Sequence, residues 1–200
     1  DATGVRGSRR ETRIPAMKIA FIGTHGVGKT TLCHDLVATV RRRGVNADMV
    51  REVARLSPLP INRQTSLDAQ TWILVTQVAE EIRSASQHEL VICDRSALDN
   101  YAYLARACGR QPAIEAFVDH WMASYDLLFK VPITGFALPD GVRDIDETFV
   151  RDIDTLVDAL LVEKQIPHHR LDPDGRDGWG EQARELMQRA AAWPSAPVRC

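Results

Sequence analysis

The stretch Gly23-Thr-His-Gly-Val-Gly-Lys-Thr30 decides the fold of this chain. It matches the pattern G-x-x-x-x-G-K-[ST] in full, it follows the short apolar run at residues 18–22, and it opens a segment with helical spacing of apolar residues. Glycines here let backbone N–H groups turn towards an anion without a clash from Cβ, and the positive end of the next helix points to the same place. The strand, loop and helix together predict a phosphate-binding loop.

The residue types that handle phosphate and metal stand at the end of this loop. Lys29 can reach the β- and γ-phosphates of a nucleotide as a point charge, and Thr30 can offer its hydroxyl to Mg²⁺. The predicted ATP-binding residues are Gly23, Thr24, His25, Gly26, Val27, Gly28, Lys29, Thr30, Thr31 and Arg176. Arg176 follows the last predicted strand, where it could stack on adenine. For His25, local packing or exposure to solvent is the favoured alternative.

The composition fits one domain of ordinary globular character. Of the 200 residues, 44% are hydrophobic and 26% are charged, and the net charge is -2, which argues against disorder and against an extended basic surface for nucleic acid. No apolar run reaches the roughly 18 residues of a membrane-spanning helix. The four cysteines form no Cys-x-x-Cys pair, which suits a reducing cytoplasm. We therefore expect a cytoplasmic protein that binds neither nucleic acid nor membrane and that could form a homodimer.

Strand and helix patterns alternate along the chain. Short apolar runs predict strands at 18–22, 47–53, 90–93, 127–131 and 167–171. Helical spacing fills the stretches between and after these runs, and two helix starts carry a capping-box pattern, Thr65-Ser-Leu-Asp68 and Ser96-Ala-Leu-Asp99. This alternation predicts an α/β fold with about five parallel strands and helices on both faces of the sheet.

The first and last residues lack this patterning. Met17 opens directly onto the first strand, so we expect the natural start there. Residues 1–16 are then a flexible extension, either added by cloning or dispensable. Residues 17–192 form the domain, and 193–200 form a C-terminal tail.

Acidic residues follow two of the predicted strands. Asp94 and Arg95 come directly after an apolar strand, and Glu52 lies at the carboxyl end of the second strand with an arginine on either side, Arg51 and Arg55. Ligands of open α/β sheets bind at these carboxyl ends. Asp94 could hold Mg²⁺ or accept a proton, and Arg95 could clamp a phosphate or a neighbouring acid. Glu52 is a rival for the general base. The plain alternatives are an N-cap acid with a surface arginine for Asp94 and Arg95, and an ordinary exposed Arg-Glu pair for Glu52.

A polar segment, Gly141-Val-Arg-Asp-Ile-Asp-Glu147, follows the fourth strand. Arg143 on such a loop could close over the γ-phosphate, exclude water and neutralise developing charge. A solvated run of charges explains the same residues equally well.

Several motifs together resemble one known family. The motifs are Gly23–Thr30, Arg51-Glu52, Pro58-Leu-Pro-Ile-Asn62, Gln70-Thr-Trp-Ile-Leu74, Val91-Ile-Cys-Asp-Arg-Ser-Ala-Leu-Asp-Asn-Tyr-Ala-Tyr103 and Gly141-Val-Arg143. They resemble a bacterial P-loop family, usually filed as an AAA-type ATPase domain. Its closest kinases are nicotinamide riboside kinase, thymidylate kinase and the deoxynucleoside kinases. The resemblance spans residues 17 to about 192 and implies a three-layer P-loop NTPase fold with a kinase-like lid.

The resemblance also implies roles for particular residues. The residues expected to act in catalysis are Lys29, Glu52, Asp94, Arg95 and Arg143. Those expected to bind the acceptor are Glu52, Arg55, Gln70, Gln77, Arg95 and Tyr101, and those expected to hold the metal are Thr30 and Asp94. Asp94 stands where deoxynucleoside kinases have glutamate, and the lid starts with one arginine, so specificity for a nucleoside stays open.

Two functions are compatible with these motifs. The first is ATP- and Mg²⁺-dependent phosphoryl transfer to a small hydroxyl-bearing metabolite that resembles a nucleoside or nucleotide. The second is a regulatory ATPase switch that hydrolyses ATP slowly and has no small-molecule acceptor. A small molecule that greatly raises ATP consumption would distinguish them.

Overall fold

The computed structural model of the chain describes residues 16–61, 65–134 and 147–190. Almost all of the predicted extension, the loop that carries Arg143 and the predicted tail lie outside these residues. The domain boundaries at residues 17 and 192 therefore stay predictions.

A single parallel sheet forms the centre of the structure. Its strands are β1 (Met17–Ile22), β2 (Ala47–Val50), β3 (Leu90–Asp94), β4 (Leu127–Lys130) and β5 (His169–Arg170). The order is β2-β3-β1-β4-β5, and every neighbouring pair is parallel, which confirms the predicted sheet. The connection after β1 leads to β2 on one side and the connection after β3 leads to β4 on the other, so a crevice opens between the carboxyl ends of β1 and β3.

Two strands are shorter than the sequence predicted. β2 ends at Val50, and residues Val53–Leu56 form a 3-10 turn that leads the chain out of the sheet. β5 has two residues and pairs with Phe129 and Lys130 of β4 at the edge of the sheet. Apolar patterning predicts which residues are buried, and a buried run can be longer than the part that forms strand hydrogen bonds.

Six helices surround the sheet in the described residues. They are α1 (Lys29–Arg42), α2 (Leu67–Ala85), α3 (Ala97–Cys108), α4 (Pro112–Met122), α5 (Glu147–Glu163) and α6 (Trp179–Arg189). α3 begins with the predicted capping box, in which Ser96 and Asp99 accept each other's backbone N–H groups. Within the described ranges, no helix is long and apolar enough to cross a membrane.

The start of α2 differs by one residue from the predicted pattern. Ser66, not Thr65, is the N-cap, and its hydroxyl accepts the N–H of Ala69 at 3.2 Å. The hydroxyl of Thr65 instead accepts a hydrogen bond from the side chain of Gln70 at 2.8 Å. Adjacent hydroxyl residues can both cap a helix, so the pattern alone does not choose between them.

The helices cover both faces of the sheet. In β1, Ile19 and Phe21 face the layer formed by α1 and α6, whereas Ala20 and Ile22 face the layer that contains α3 and α5. All four side chains are fully buried. This alternation across a doubly covered sheet confirms the predicted three layers.

A buried ion pair joins β1 to α2. Lys18 of β1 donates to Glu81 of α2 at 2.8 Å, and both side chains are almost inaccessible to solvent. Trp121 and Tyr125 also donate to Glu81, at 2.8 and 2.6 Å, and the Lys18 ammonium lies 4.3 Å from the centre of each ring. A buried carboxylate needs such partners, because it has lost its hydration.

Replacement of Lys18 tests this arrangement. Lys18→Met should lower the free energy of unfolding by roughly 3–5 kcal/mol, because it leaves the Glu81 carboxylate buried without its counter-charge. Urea denaturation measures the loss. The matched control is Arg189→Met, which removes an exposed partner of Glu185 and should cost less than about 1 kcal/mol. Equal losses in the two variants would contradict the assignment.

Candidate functional site

The loop after β1 requires glycine at two positions. Gly23 has φ +132, and a Cβ there would lie 3.0 Å from the carbonyl oxygen of Val131. Gly28 has φ +97, and a Cβ there would lie 2.9 Å from the guanidinium of Arg176. The second approach brings the loop after β5 against the end of the phosphate loop, which fits the predicted role of Arg176 at a nucleotide.

The loop runs into α1 without a side-chain cap. Gly28 is the N-cap residue, and among the described residues no side chain accepts the N–H groups of the first turn at this position. The first N–H groups of a helix have no partner inside the helix, and they carry the positive end of its dipole. This turn can therefore donate hydrogen bonds to an anion.

Lys29 is folded onto the loop. Its ammonium donates to the carbonyl oxygen of Gly23 at 2.9 Å and to that of Thr24, and the residue is 5% exposed. Burial, and then the nearby charge of Arg95, lower the pKa of Lys29 to about 8. A bound phosphate would add negative charge beside this ammonium, to that of the nearby Asp99, Asp94 and Glu52 carboxylates.

Thr30 and Asp94 join the loop to the end of β3. The Thr30 hydroxyl donates to Oδ2 of Asp94 at 2.5 Å. Mg²⁺ prefers oxygen ligands and often binds through one or two protein groups together with substrate phosphates. The described residues contain no group of three or more His, Cys, Asp or Glu side chains that could hold a metal alone. The pair fits a magnesium ion that arrives with a nucleotide.

A second pair lies beside the first. Nε of Arg95 donates to Oε1 of Glu52 at 3.0 Å, Nη2 lies 2.8 Å from the same oxygen in an ion pair, and both side chains are buried. Arg55, which is half exposed, donates to Oε2 of the same carboxylate at 3.2 Å. Of the two roles considered for Arg95, the structure therefore shows it holding a neighbouring acid.

The backbone of Arg95 is in an unusual conformation. Its φ is +92, in the left-handed region that non-glycine residues rarely adopt. Its N–H donates to the carbonyl of Phe21, and its own carbonyl accepts from the side chain of Gln77 at 3.3 Å. Strain of this kind persists where the surroundings fix it, and it is concentrated at functional sites.

These groups line one cleft of about 230 Å³. Its lining residues are His25, Gly26, Gly28, Lys29, Thr30, Thr31, Glu52, Asp94, Arg95 and Arg176. The structure thus brings predicted residues from four separate parts of the chain into contact with one space. Thr24 and Val27 are buried behind the loop, where only their backbone could serve a ligand.

Four residues predicted to bind the acceptor, Arg55, Gln70, Gln77 and Tyr101, do not line this cleft, and the predictions for Gln77 and Tyr101 need correction. Gln77 is fully buried and donates to Glu81 at 2.9 Å and to the Arg95 carbonyl, so it supports the site from behind. Tyr101 is also fully buried, and its hydroxyl donates to Glu115 of α4 at 2.5 Å. Gln70 is 5% exposed and donates to Thr65.

Two residues support the site through contacts that were not predicted. Asp99 accepts the N–H of Gly23 at 2.7 Å while it caps α3, so it ties the phosphate loop to that helix. Tyr103, one turn further, contacts His25 through its hydroxyl. His25 packs against aromatic rings, as its alternative interpretation held, and also lines the cleft. The i, i+4 spacing of Asp99 and Tyr103 puts both on one face of α3, and this spacing could have indicated that they act at the same place.

The lowered pKa of Lys29 gives a test of phosphate binding. A triphosphate stabilises the charged ammonium, so binding should raise the pKa from about 8 and take up protons between pH 8 and pH 9. Affinity for ATP should therefore fall as the pH rises through this range. Calorimetry in buffers of different ionisation enthalpy measures the uptake. It should vanish in Lys29→Met, and an uptake that persists there would contradict the assignment.

The fold resembles that of several solved structures. A thymidylate kinase from Ehrlichia chaffeensis is 21% identical, with a TM-score of 0.62 over 87% of this chain and 99% of that chain. Deoxyadenosine kinase from M. mycoides was solved with bound dATP and with the products dCMP and dCDP. The identities are 15% and 16% and the TM-scores 0.62 and 0.63, over 86% of this chain and 99% of that one. No curated protein matches the sequence.

The sequence itself matches one family. The match, to the AAA domain family AAA_28, runs over residues 18–177, from β1 to the loop that carries Arg176. The matched range includes every residue that lines the cleft, and it confirms the resemblance inferred from the motifs. The chain belongs to this AAA-domain family of P-loop proteins.

Proposed function

We propose that this protein is an ATP- and Mg²⁺-dependent kinase that transfers the γ-phosphoryl group to a hydroxyl of a small metabolite, most simply a nucleoside-like one. The observation that carries the proposal is the Glu52–Arg95 pair, which lies in the same cleft as the phosphate loop. A carboxylate beside the phosphate loop is where an acceptor hydroxyl could lose its proton.

The donor side of the cleft suits a nucleoside triphosphate. The uncapped first turn of α1 offers N–H groups to phosphate oxygens, and Lys29 offers a positive charge. Arg176 lies against Gly28 at the end of the loop, where it can contact the nucleotide. The bound dATP of M. mycoides deoxyadenosine kinase, which shares the fold, supports a nucleotide in this cleft.

Thr30 and Asp94 are the proposed magnesium ligands. When bound there, Mg²⁺ would neutralise charge on the phosphates. Because Asp94 is committed to this pair, it is poorly placed to act also as the base. The choice left open by the sequence therefore falls on Glu52.

The acceptor side suits an uncharged hydroxyl better than a second phosphate. Glu52 is buried there, and two arginines, Arg95 and Arg55, already donate to its carboxylate. A phosphate on the acceptor would bring a further negative charge close to this carboxylate at low local dielectric. Phosphoryl transfer needs accurate positioning more than a strong base, and two arginines hold the carboxylate in place.

The proposal is tested by ATP consumption with Mg²⁺ and a panel of nucleosides and other hydroxyl metabolites. One class of acceptor should raise consumption by orders of magnitude and yield a phosphorylated product. Lys29→Ala should abolish turnover. Glu52→Gln should lower kcat by about 10²–10⁴-fold, while ATP still binds. The control, Glu80→Gln on the exposed face of α2, should behave as wild type.

The same assay separates the alternative. ATP consumption that is slow and unaffected by every acceptor would contradict the kinase and favour a regulatory ATPase. Glu52→Gln with full kcat would leave phosphoryl transfer standing but remove Glu52 as the base.

A further inference from the structure

One tyrosine contacts both sides of the cleft. Tyr103 lies on α3, and its hydroxyl accepts the backbone N–H of His25 at 3.1 Å. The same hydroxyl is 2.9 Å from Nδ1 of the His25 ring. A phenolic hydroxyl has one proton and two lone pairs, so it can serve both contacts at once. These contacts fix the third residue of the phosphate loop from outside the space that a nucleotide would fill.

The ring of Tyr103 supports the acceptor side. The guanidinium carbon of Arg95 lies 4.8 Å from the ring centre, within the range of a cation–π contact. Arg95 is thus held along one edge by Glu52 and across its face by Tyr103. Because the backbone of Arg95 is already in the left-handed region, its side chain depends on such contacts for its direction.

A third ring holds the tyrosine in place. Phe149, in the first turn of α5, lies 6.1 Å from the ring centre of Tyr103 and 5.9 Å from that of His25. Aromatic pairs at these separations attract one another in tilted geometries such as those seen here. The three rings come from the phosphate loop, α3 and α5, so the hydroxyl of Tyr103 has little freedom to move.

We propose that Tyr103 is a positioning residue: its hydroxyl holds the phosphate loop in the shape that binds nucleotide, and its ring holds Arg95 in the direction that orients Glu52. This rests on the proposed function, because both partners act in the same cleft. Both the hydroxyl and the ring lie close to Arg95, but only the hydroxyl bonds to His25, so two substitutions can separate the two roles.

Tyr103→Phe removes the hydroxyl and keeps the ring. Loss of a neutral hydrogen bond should weaken ATP binding about three- to tenfold, with kcat within about twofold of wild type. Tyr103→Leu removes the ring as well, so kcat should also fall by at least roughly tenfold as Arg95 loses its support. ATP affinity is measured by calorimetry, and kcat and KM in the acceptor assay.

The matched control is Tyr101→Phe, two residues earlier on α3. It also removes a hydroxyl, but one that donates to Glu115 away from the cleft. It should leave ATP affinity and kcat unchanged, and thermal melting of all three variants shows how far stability alone is altered. A purely structural role for Tyr103 would lower melting temperature without this split between ATP affinity and kcat.

The outcomes separate this inference from the function on which it rests. If wild type binds ATP and Tyr103→Phe binds it equally well, the role of the hydroxyl is overturned. If Tyr103→Leu keeps the kcat of wild type, the role of the ring is overturned. If wild type binds no nucleotide, the proposed function fails, and this inference fails with it.

Discussion

The burial of opposite charges in one cleft is the constraint on which the site depends. Lys29, Glu52, Asp94 and Arg95 are each at most 9% exposed, and each would be costly to bury alone. Glu52 and Arg95 satisfy each other, and Asp94 has the hydroxyl of Thr30. The Lys29 ammonium donates to the backbone carbonyl groups of Gly23 and Thr24, while the carboxylates of Asp99, Asp94 and Glu52 act on it from further away.

The rest of the fold keeps these charges in place. Parallel pairing of β1 with β3 places the phosphate loop beside Asp94 and Arg95, at the carboxyl ends of these two strands. Asp99 binds the start of the loop to α3, and Gln77 joins the Arg95 carbonyl to the buried carboxylate of Glu81. Hydrogen bonds therefore link the buried carboxylate of Glu81, through Gln77, to Arg95, the cleft residue with the left-handed backbone.

The sequence predicted those features that depend on local chemistry. The phosphate loop, the capping box at Ser96 and the five strands follow from glycine geometry, hydroxyl capping and apolar runs. The same patterns brought together Glu52, Asp94 and Arg95, because each lies at or just after the carboxyl end of a strand of one parallel sheet. The match to the AAA-domain family agrees with this part of the account.

The sequence did not predict which face of a helix meets the cleft. Gln77 and Tyr101 were expected at the acceptor. The orientation of α2 instead directs Gln77 to the carbonyl of Arg95, and the orientation of α3 directs Tyr101 to Glu115 of α4. Tyr103, two residues from Tyr101, instead contacts His25 and Arg95, which line the cleft. Such rotations are set by packing between elements that are distant in sequence, and residue type and spacing do not encode them directly.

The most direct test is a crystal structure of the protein with Mg²⁺ and a non-hydrolysable ATP analogue. The account predicts that the triphosphate lies on the loop from Gly23 to Thr30 and that Lys29 leaves the loop carbonyl groups for the phosphates. It also predicts that Thr30 and Asp94 separate around the metal, with the terminal phosphate directed towards Glu52. A triphosphate bound elsewhere, or a terminal phosphate directed away from Glu52, would contradict it.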